Sequence, residues 1–164
     1  MENSKQFHIT TVFTIATGRL MTYLHPKYVG KKDENGFGEV YDILNFMTGD
    51  DLYTHQLGRA SEECKPYLPE YTKAWEPAAE EVARIAGDDH EALTRGLGRL
   101  IKSFIILHGE WIDIQRIPMD DHDVIDPVEE LARMVPPDKI ITLDLTEEEP
   151  PISPTGDINW KVED

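Results

Sequence analysis

The fold class predicted from this sequence depends on residues 8–23, HITTVFTIATGRLMTY. Residues 8–15 and 19–23 are rich in β-branched and aromatic side chains, and the short segment Ala16-Thr17-Gly18 lies between these two runs. Such side chains favour strands, and a short link that contains glycine favours a tight turn. The stretch therefore predicts a β-hairpin near the start of the chain.

The next part of the chain changes to the periodicity of a helix. Apolar side chains between Val40 and Met47 are three and four residues apart, which predicts a helix that ends before Gly49. The same kind of pattern, with its caps and proline breaks, predicts four further helices, at residues 54–68, 77–86, 88–108 and 127–135.

The predicted helix at 88–108 stands out by its apolar content. Six large apolar side chains repeat in it at intervals of three and four, so we expect it to be the most deeply buried helix. Gly96 and Gly98 lie inside it, and each is less favourable there than alanine by about 1 kcal/mol. A close crossing with another element at these glycines would compensate for that loss.

Further strands are predicted at 111–117, WIDIQRI, and at 139–145, KIITLDL. Strands at both ends of the chain with helices between them indicate an α+β fold. We expect a small, mostly antiparallel sheet, formed by the hairpin and these two strands, with about five helices packed on it. The predicted domain covers residues 1–145, and the acidic, proline-rich tail at 146–164 is expected to be extended or disordered.

The 164-residue chain has a net charge of −16, and its acidic side chains are concentrated in the last third. Residues 111–164 contain fifteen acidic and four basic side chains. Such a surface repels a phosphate backbone and attracts a basic protein. We therefore expect no direct contact with nucleic acid. The two remaining interpretations are a basic protein partner and a surface that serves solubility alone.

Two features predict a cytoplasmic protein without a membrane contact. Cys64 is the single cysteine, which fits a reducing compartment. The first residues, MENSKQFHITTVF, lack the pattern of a signal peptide, and no later apolar run reaches the roughly 18 residues that a membrane span requires. Cys64 falls on the apolar side of its predicted helix, so we expect a buried, structural thiol.

The first candidate site is the stretch PMDDHDVIDP at residues 118–127. Asp126 precedes Pro127 and is followed three residues later by Glu129, which is typical of a helix N-cap. The remaining residues, Asp120 to Asp123 with His122 among them, resemble a metal or acid/base cluster in composition. Their spacing matches neither a calcium loop nor the HExxH motif. We favour a solvated loop that caps a helix.

The second candidate site lies where one predicted helix ends and the next begins. A pocket suited to an anion is one interpretation, and two caps joined by a turn is the favoured one. The residues that such a pocket would use are Asp50, Asp51, Tyr53, His55 and Gln56.

Among the other histidines, His108 is expected to be partly buried and bonded to backbone, His90 lies near a helix start, and His8 and His25 have no companions. We predict that neither His122 nor His55 meets two carboxylates in space and holds an ion. The chain has no glycine-rich phosphate loop and no catalytic-serine motif. The sequence therefore assigns no catalytic residue, no metal ligand and no cofactor.

Two stretches, ILNFMTGDDLYTHQLGRASEEC at 43–64 and DDHDVIDPVEELARMVPPDKIIT at 120–142, resemble small accessory proteins of phage and prophage genomes that are grouped under a domain of unknown function. The stretch TIATGRLM at 14–21 is similar to their N-terminal part. This resemblance implies a protein that binds host machinery or that of a competing phage, and it carries no assigned catalytic residue.

Charge and resemblance together favour an acidic inhibitor or modulator that binds a basic or nucleic-acid-binding protein of the host or of a defence system, in the manner of a nucleic-acid mimic. One alternative is a small metal-assisted hydrolase that uses the clusters at 50–55 or 120–123. The other is a non-enzymatic accessory or regulatory protein. The residues expected to contact the partner are Asp113, Asp120, Asp121, Asp123, Glu129, Glu130, Asp144, Glu147, Glu148, Glu149 and Trp160.

Deletion of residues 150–164 tests the expected role of the tail. Trp160 lies among residues with an alternating, strand-like pattern, so we expect it to dock on its own domain or on a second copy of the chain. The deletion should then lower the melting temperature or the mass in solution, as measured by calorimetry and by light scattering. If both values stay unchanged, the alternative of a tail that does not dock is correct.

Overall fold

The computed structural model describes residues 3–31 and 33–134. The chain forms two compact units, Met1–Val124 and Ile125–Asp164. The first unit contains two strands and five α-helices in the described residues: β1 Ser4–His8, α1 Ile9–Thr17, α2 Phe37–Thr48, α3 Leu57–Cys64, α4 Trp75–Ala86, α5 His90–His108 and β2 Trp111–Gln115. The second unit contains α6, Pro127–Met134.

The α+β fold class is confirmed. β1 and β2 pair in antiparallel orientation, with Ser4 opposite Gln115 and His8 opposite Trp111. The predicted strand at 111–117 is thus present as β2, and the helices predicted around it are present as well. The strand predicted at 139–145 and the tail at 146–164 lie outside the described residues.

The predicted N-terminal hairpin is wrong, because residues 9–17 form the helix α1. All nine residues of α1 are buried, and β1, β2, α2, α4 and α5 all contact this helix. A helix enclosed on every side has no polar face, so its sequence shows no helical period. Burial outweighs the modest strand preference of its threonines and branched side chains.

The threonines of α1 also satisfy their hydroxyl groups inside the helix. Thr14 Oγ1 donates to the Thr10 carbonyl at 2.8 Å, and Thr17 Oγ1 donates to the Phe13 carbonyl at 2.8 Å. Threonine can make this bond one helical turn back, which lowers the cost of burying it. The residue pattern that favours a strand on the basis of propensity is therefore compatible with a central helix.

Both ends of α1 are fixed by specific residues. At the start, Nδ1 of His8 accepts a hydrogen bond from the Thr10 N–H at 3.2 Å, so the imidazole serves as the N-cap. At the end, Gly18 has φ 77°, and its N–H donates to the Thr14 carbonyl at 2.8 Å. Few residues other than glycine adopt this left-handed conformation without strain, which explains the stop.

The core surrounds α1, and the expectation that the helix at 88–108 is the most deeply buried is wrong. In α5 only Leu97 and Ile101 are buried, since its other large apolar residues are partly exposed. Phe104 of α5 stacks on the buried indole of Trp75, with ring centroids 4.7 Å apart. Trp75 in turn packs against Phe13 of α1 at 5.9 Å.

The close crossing predicted at the glycines of α5 is confirmed for Gly96. A Cβ atom at this position would lie 2.6 Å from Cγ1 of Val82 in α4, closer than carbon atoms can approach. At Gly98, by contrast, a Cβ atom would meet nothing within 4 Å. The packing of α4 on α5 therefore requires glycine at position 96 and does not require it at position 98.

The helix predicted at 54–68 is present in a shorter form. α3 covers only Leu57–Cys64 and is flanked by 3-10 turns at Thr54–Gln56 and Lys65–Tyr67. Pro66 lacks the N–H that a continued α-helix would need, which accounts for the change after Cys64. The other helices agree with prediction to within two residues at each end. No helix in the described ranges combines the length and the apolar character that a membrane span demands.

Two substitutions at His8 test its role as the cap of α1. Asparagine can accept the Thr10 N–H in place of the imidazole, whereas alanine cannot, and a lost N-cap costs about 1 kcal/mol. Both variants lose the ring contacts of His8 equally. We expect His8→Ala to lower the free energy of unfolding by about 1 kcal/mol more than His8→Asn, as measured by urea denaturation. Equal stability of the two variants would contradict the cap.

Candidate functional site

His122 lies in the acidic loop, residues 118–124, and its side chain is only 2% exposed. Nδ1 donates to Oε1 of Glu63 at 2.5 Å, and Nε2 donates to Oδ2 of Asp50 at 2.9 Å. Asp50 follows the end of α2, and Glu63 lies in the last turn of α3. We call these three residues the His122 bridge, because they join the acidic loop to the ends of two helices.

The part of the prediction that concerns carboxylates is therefore wrong for His122. The acidic loop returns over α2 and α3, where the Ile117 N–H donates to the Met47 carbonyl at 2.9 Å before the loop begins. After His122, the Asp123 N–H donates to Oε2 of Glu63 at 3.3 Å. A local sequence pattern contains no sign of this return, since Glu63 has the spacing of an ordinary exposed residue on a helix.

The His122 bridge favours the charged form of the imidazole. Burial lowers the pKa of His122, but the hydrogen bonds and the negative charges of Asp50 and Glu63 outweigh it, so the pKa is raised above 6.5. A carboxylate only accepts hydrogen bonds, and a ring that faces one on each side needs a proton on both nitrogens. The bridge is thus a buried cation between two anions.

This geometry suits an anchor better than a reactive centre. The two carboxylates lie on opposite sides of the ring, and both nitrogens are occupied by them. In residues 3–31 and 33–134, no group of three or more histidine, cysteine or acidic side chains is arranged to hold a metal.

Outside the His122 bridge, the carboxylates of the acidic loop face solvent. Asp120, Asp121 and Asp123 are all exposed. Arg59 holds the loop from α3 by donating from Nη1 to the Asp123 carbonyl at 3.1 Å. The loop backbone is thus bonded to α3 at Asp123, directly after His122, while its acidic side chains are exposed.

Two tyrosines lie beside the predicted partner-contacting aspartates. The hydroxyl of Tyr67 donates to Oδ2 of Asp121, and Tyr67 is 37% exposed. Tyr71 is 38% exposed, and burial of part of its ring together with the charge of Asp113 raises its pKa. Asp113 itself is exposed on β2. The sequence analysis missed both tyrosines, because they lie in short 3-10 turns without a periodic pattern.

The predicted pocket at 50–56 is divided in the structure. Asp50 and Asp51 line an open cavity of about 450 Å³ together with Arg116. Tyr53, His55 and Gln56 do not line it, and the side chain of Gln56 accepts from the Tyr53 N–H at 3.0 Å, as a helix cap. The favoured interpretation, two caps joined by a turn, describes the part at residues 53–56.

Cys64 is buried, as predicted. Burial, with a smaller contribution from the charge of Glu63, raises the pKa of the thiol to about 12. The sulfur is protonated at neutral pH and is therefore unsuited to nucleophilic attack.

The second unit confirms the predicted cap of α6. Oδ1 of Asp126 accepts from the N–H of Val128 at 2.8 Å and from that of Glu129 at 3.3 Å. Of the two glutamates expected to contact a partner, Glu129 is exposed and Glu130 is buried. The other expected contact residues, Asp144, Glu147, Glu148, Glu149 and Trp160, lie outside the described residues.

The expectation that His8 and His25 lack companions is also wrong. Both are buried, their ring centroids are 4.4 Å apart, and Trp111 lies 5.1 Å from the His8 ring. Nε2 of His8 also bonds to Oε2 of Glu110 at 2.9 Å. Burial and the neighbouring charge of His8 lower the pKa of His25.

Comparison with known families yields one match. The profile of a domain of unknown function (DUF7736) matches residues 7–78, which include α1, α2 and α3. The stretches at 14–21 and 43–64 fall inside this range, and the stretch at 120–142 falls outside it. Searches of curated proteins and of solved structures gave no significant match.

The pH dependence of stability tests the charge of the His122 bridge. A raised pKa in the folded state stabilises the fold below the unfolded value, and this stability is lost as pH rises through the folded pKa. The stability lost in His122→Gln should therefore be largest near about pH 6 and decline toward about pH 8.5, in urea denaturation series.

His25→Gln is the matched control, because the pKa of His25 is lowered instead. A lowered histidine pKa gives stability that is complete above the unfolded value and is lost as pH falls below it. The stability lost in His25→Gln should hence grow with pH from about 5 to about 7. Parallel pH profiles for the two variants would contradict the assignment.

Proposed function

We propose that this protein is an acidic binding protein that modulates a basic or nucleic-acid-binding protein partner and is not an enzyme. By its resemblance to phage accessory proteins, the partner belongs to the host or to a defence system, and the encounter takes place in the host cytoplasm. The observation that carries the proposal is the His122 bridge, which fixes a loop of exposed aspartates to the core.

Fixing the acidic loop matters because a flexible loop loses conformational freedom on binding. The backbone entropy of an ordered residue amounts to roughly 1–2 kcal/mol. Hydrogen bonds from His122, Asp123 and Arg59 already hold the loop against α3 in the free protein. Asp120, Asp121 and Asp123 are therefore presented to a partner at little further entropic cost.

Charge and residue type support a protein as the partner. The excess of fifteen acidic over four basic side chains in 111–164 attracts a basic surface and accelerates the encounter. Exposed Tyr67 and Tyr71 lie next to the acidic groups, and tyrosine is enriched among the residues that contribute most to protein interfaces. An acidic surface with rigid aromatic groups fits a groove that otherwise receives a phosphate backbone.

The alternative of a metal-assisted hydrolase has less support from the geometry. Its two predicted clusters, 50–55 and 120–123, do approach each other, since Asp50 contacts His122. The contact, however, uses up the ring nitrogen that a metal or a reacting group would need.

Neutralising the acidic loop tests the proposed interface. The variant Asp120→Asn/Asp121→Asn/Asp123→Asn removes three exposed charges, and Asp33→Asn/Glu34→Gln/Asp88→Asn removes three from other exposed sites as a control. A partner captured by the wild-type protein from host lysate should bind the loop variant at least about tenfold more weakly at moderate salt and bind the control almost normally, by surface plasmon resonance. Equal affinities of the two variants would refute the interface.

In the same binding measurement, His122→Gln tests the order of the acidic loop separately from its charge. It leaves every exposed aspartate in place but breaks the His122 bridge, so the loop has to be ordered on binding. We expect a weaker affinity with a faster dissociation rate and a largely unchanged association rate. An affinity equal to that of the wild type would show that fixation of the loop is irrelevant to binding.

A further inference from the structure

A second site lies away from the acidic loop, in a cavity of about 500 Å³ beside α5. We call it the α5 cavity. Its walls include His8 at the end of β1, Glu110 just before β2, and Leu24 and Pro26 from the segment after α1. Thr10 of α1 also lines it, and the remaining lining residues belong to α5. This volume lies within the range of roughly 300–1,000 Å³ that small-molecule sites occupy.

The polar end of the α5 cavity is built around the His8–Glu110 pair. Nδ1 of His8 accepts the backbone N–H of Thr10 at 3.2 Å and lies 2.8 Å from the Thr10 hydroxyl. Nε2 donates to Oε2 of Glu110 at 2.9 Å. The His8 side chain is 3% exposed, whereas that of Glu110 is 45% exposed. A buried group thus orients a carboxylate that remains open to a ligand.

Three cations also line the α5 cavity, along one face of α5. Arg95, Arg99 and Lys102 are spaced by four and three residues, so their side chains project from the same face. Within the described part of the chain, Arg99 and Lys102 form no ion pair, and Arg95 lies 4.0 Å from Glu91 at its nearest. In a chain of net charge −16, two cations without an ion-pair partner in the described residues, Arg99 and Lys102, are well placed to bind an anion.

Gly98 supplies an independent indication of a ligand. It lines the α5 cavity, and a Cβ atom there would meet nothing within 4 Å. Glycine inside a helix costs about 1 kcal/mol relative to alanine, and no packing contact requires it at this position, unlike at Gly96. A missing side chain at a cavity wall lets a ligand approach the helix backbone closely.

We propose that the α5 cavity binds a small phosphorylated molecule that also carries hydroxyl groups, of the class of nucleotides and sugar phosphates. Arg99 and Lys102, with Arg95, receive the phosphate, since guanidinium and ammonium groups donate several charged hydrogen bonds to it. A hydroxyl of the ligand donates to the Glu110 carboxylate. The apolar side chains of Leu24, Ile101 and Ile105 contact the ring of the ligand.

Each part of this assignment rests on a different feature of the cavity. The cations select the phosphate, and the Glu110 carboxylate selects a hydroxyl group at a fixed distance from that phosphate. The apolar wall accepts the ring of the ligand. A carboxylate among cations also disfavours a ligand that is negative at both ends. The site and the proposed protein interface share no residue, so each can fail without the other.

The test is an NMR titration of the full-length, ¹⁵N-labelled protein with adenosine 5′-monophosphate and ribose 5-phosphate, and with adenosine and ribose as unphosphorylated counterparts. We expect at least one phosphorylated compound to shift the amides of Thr10, Leu24 and residues 98–105 in a saturable way. Its counterpart should bind at least about tenfold more weakly. If the nucleotide binds and ribose 5-phosphate does not, the apolar wall contacts the base of the nucleotide.

Two variants locate the binding in the α5 cavity. Arg99→Gln/Lys102→Gln should weaken binding at least about tenfold, while Lys73→Gln/Arg84→Gln removes the same charge elsewhere and should leave it unchanged. Gly98→Leu places a side chain in the open space of the cavity and favours the helix. It should abolish binding and keep or raise the melting temperature.

Three results would overturn the proposal. The first is the absence of saturable shifts with both phosphorylated compounds up to about millimolar concentration, a range in which even weak specific sites bind. The second is equal binding of phosphorylated and unphosphorylated compounds. The third is unaltered binding by Gly98→Leu, because a ligand of this size cannot share the cavity with the added side chain.

Discussion

The enclosure of α1 is the constraint on which the rest of the fold depends. All nine residues of this helix are buried, and both strands and the helices α2, α4 and α5 contact it. A helix without a polar face is stable only when other elements surround it completely. The amphipathic helices bury their apolar faces against this centre, and the two-stranded sheet joins β1, directly before it, to β2 much later in the chain.

The same constraint explains which elements could be predicted from the sequence. α2 and α5 have one exposed face, so their apolar residues repeat at three and four, and Gly49 and Asp89 mark an end and a start. α1 has no exposed face and hence no period, and its threonines and branched residues favour a strand when only propensity is considered. Long-range burial decides its conformation, and a window of neighbouring residues does not contain that information.

In the candidate site, too, local contacts could be predicted from the sequence and distant contacts could not. The cap of α6 by Asp126 involves residues two and three positions away, and the sequence predicts it correctly. The His122 bridge joins residues 59 and 72 positions apart, and no rule of spacing relates them. The acidic composition of the loop was visible in the sequence, but the single buried residue that gives the loop its fixed position was not.

Both sites use a buried histidine to orient carboxylates, and the two imidazoles differ in their other partners. Nδ1 of His8 accepts the backbone N–H of Thr10 and lies 2.8 Å from the Thr10 hydroxyl, and Nε2 bonds to Glu110 at 2.9 Å. His122 faces a carboxylate on each side and is stabilised as a cation. His8 holds Glu110 beside the α5 cavity through one hydrogen bond, and the carboxylate, whose side chain is 45% exposed, can still accept from a hydroxyl. The cationic His122 instead compensates Asp50 and Glu63, so that the charge available to a partner comes from the exposed aspartates of the acidic loop.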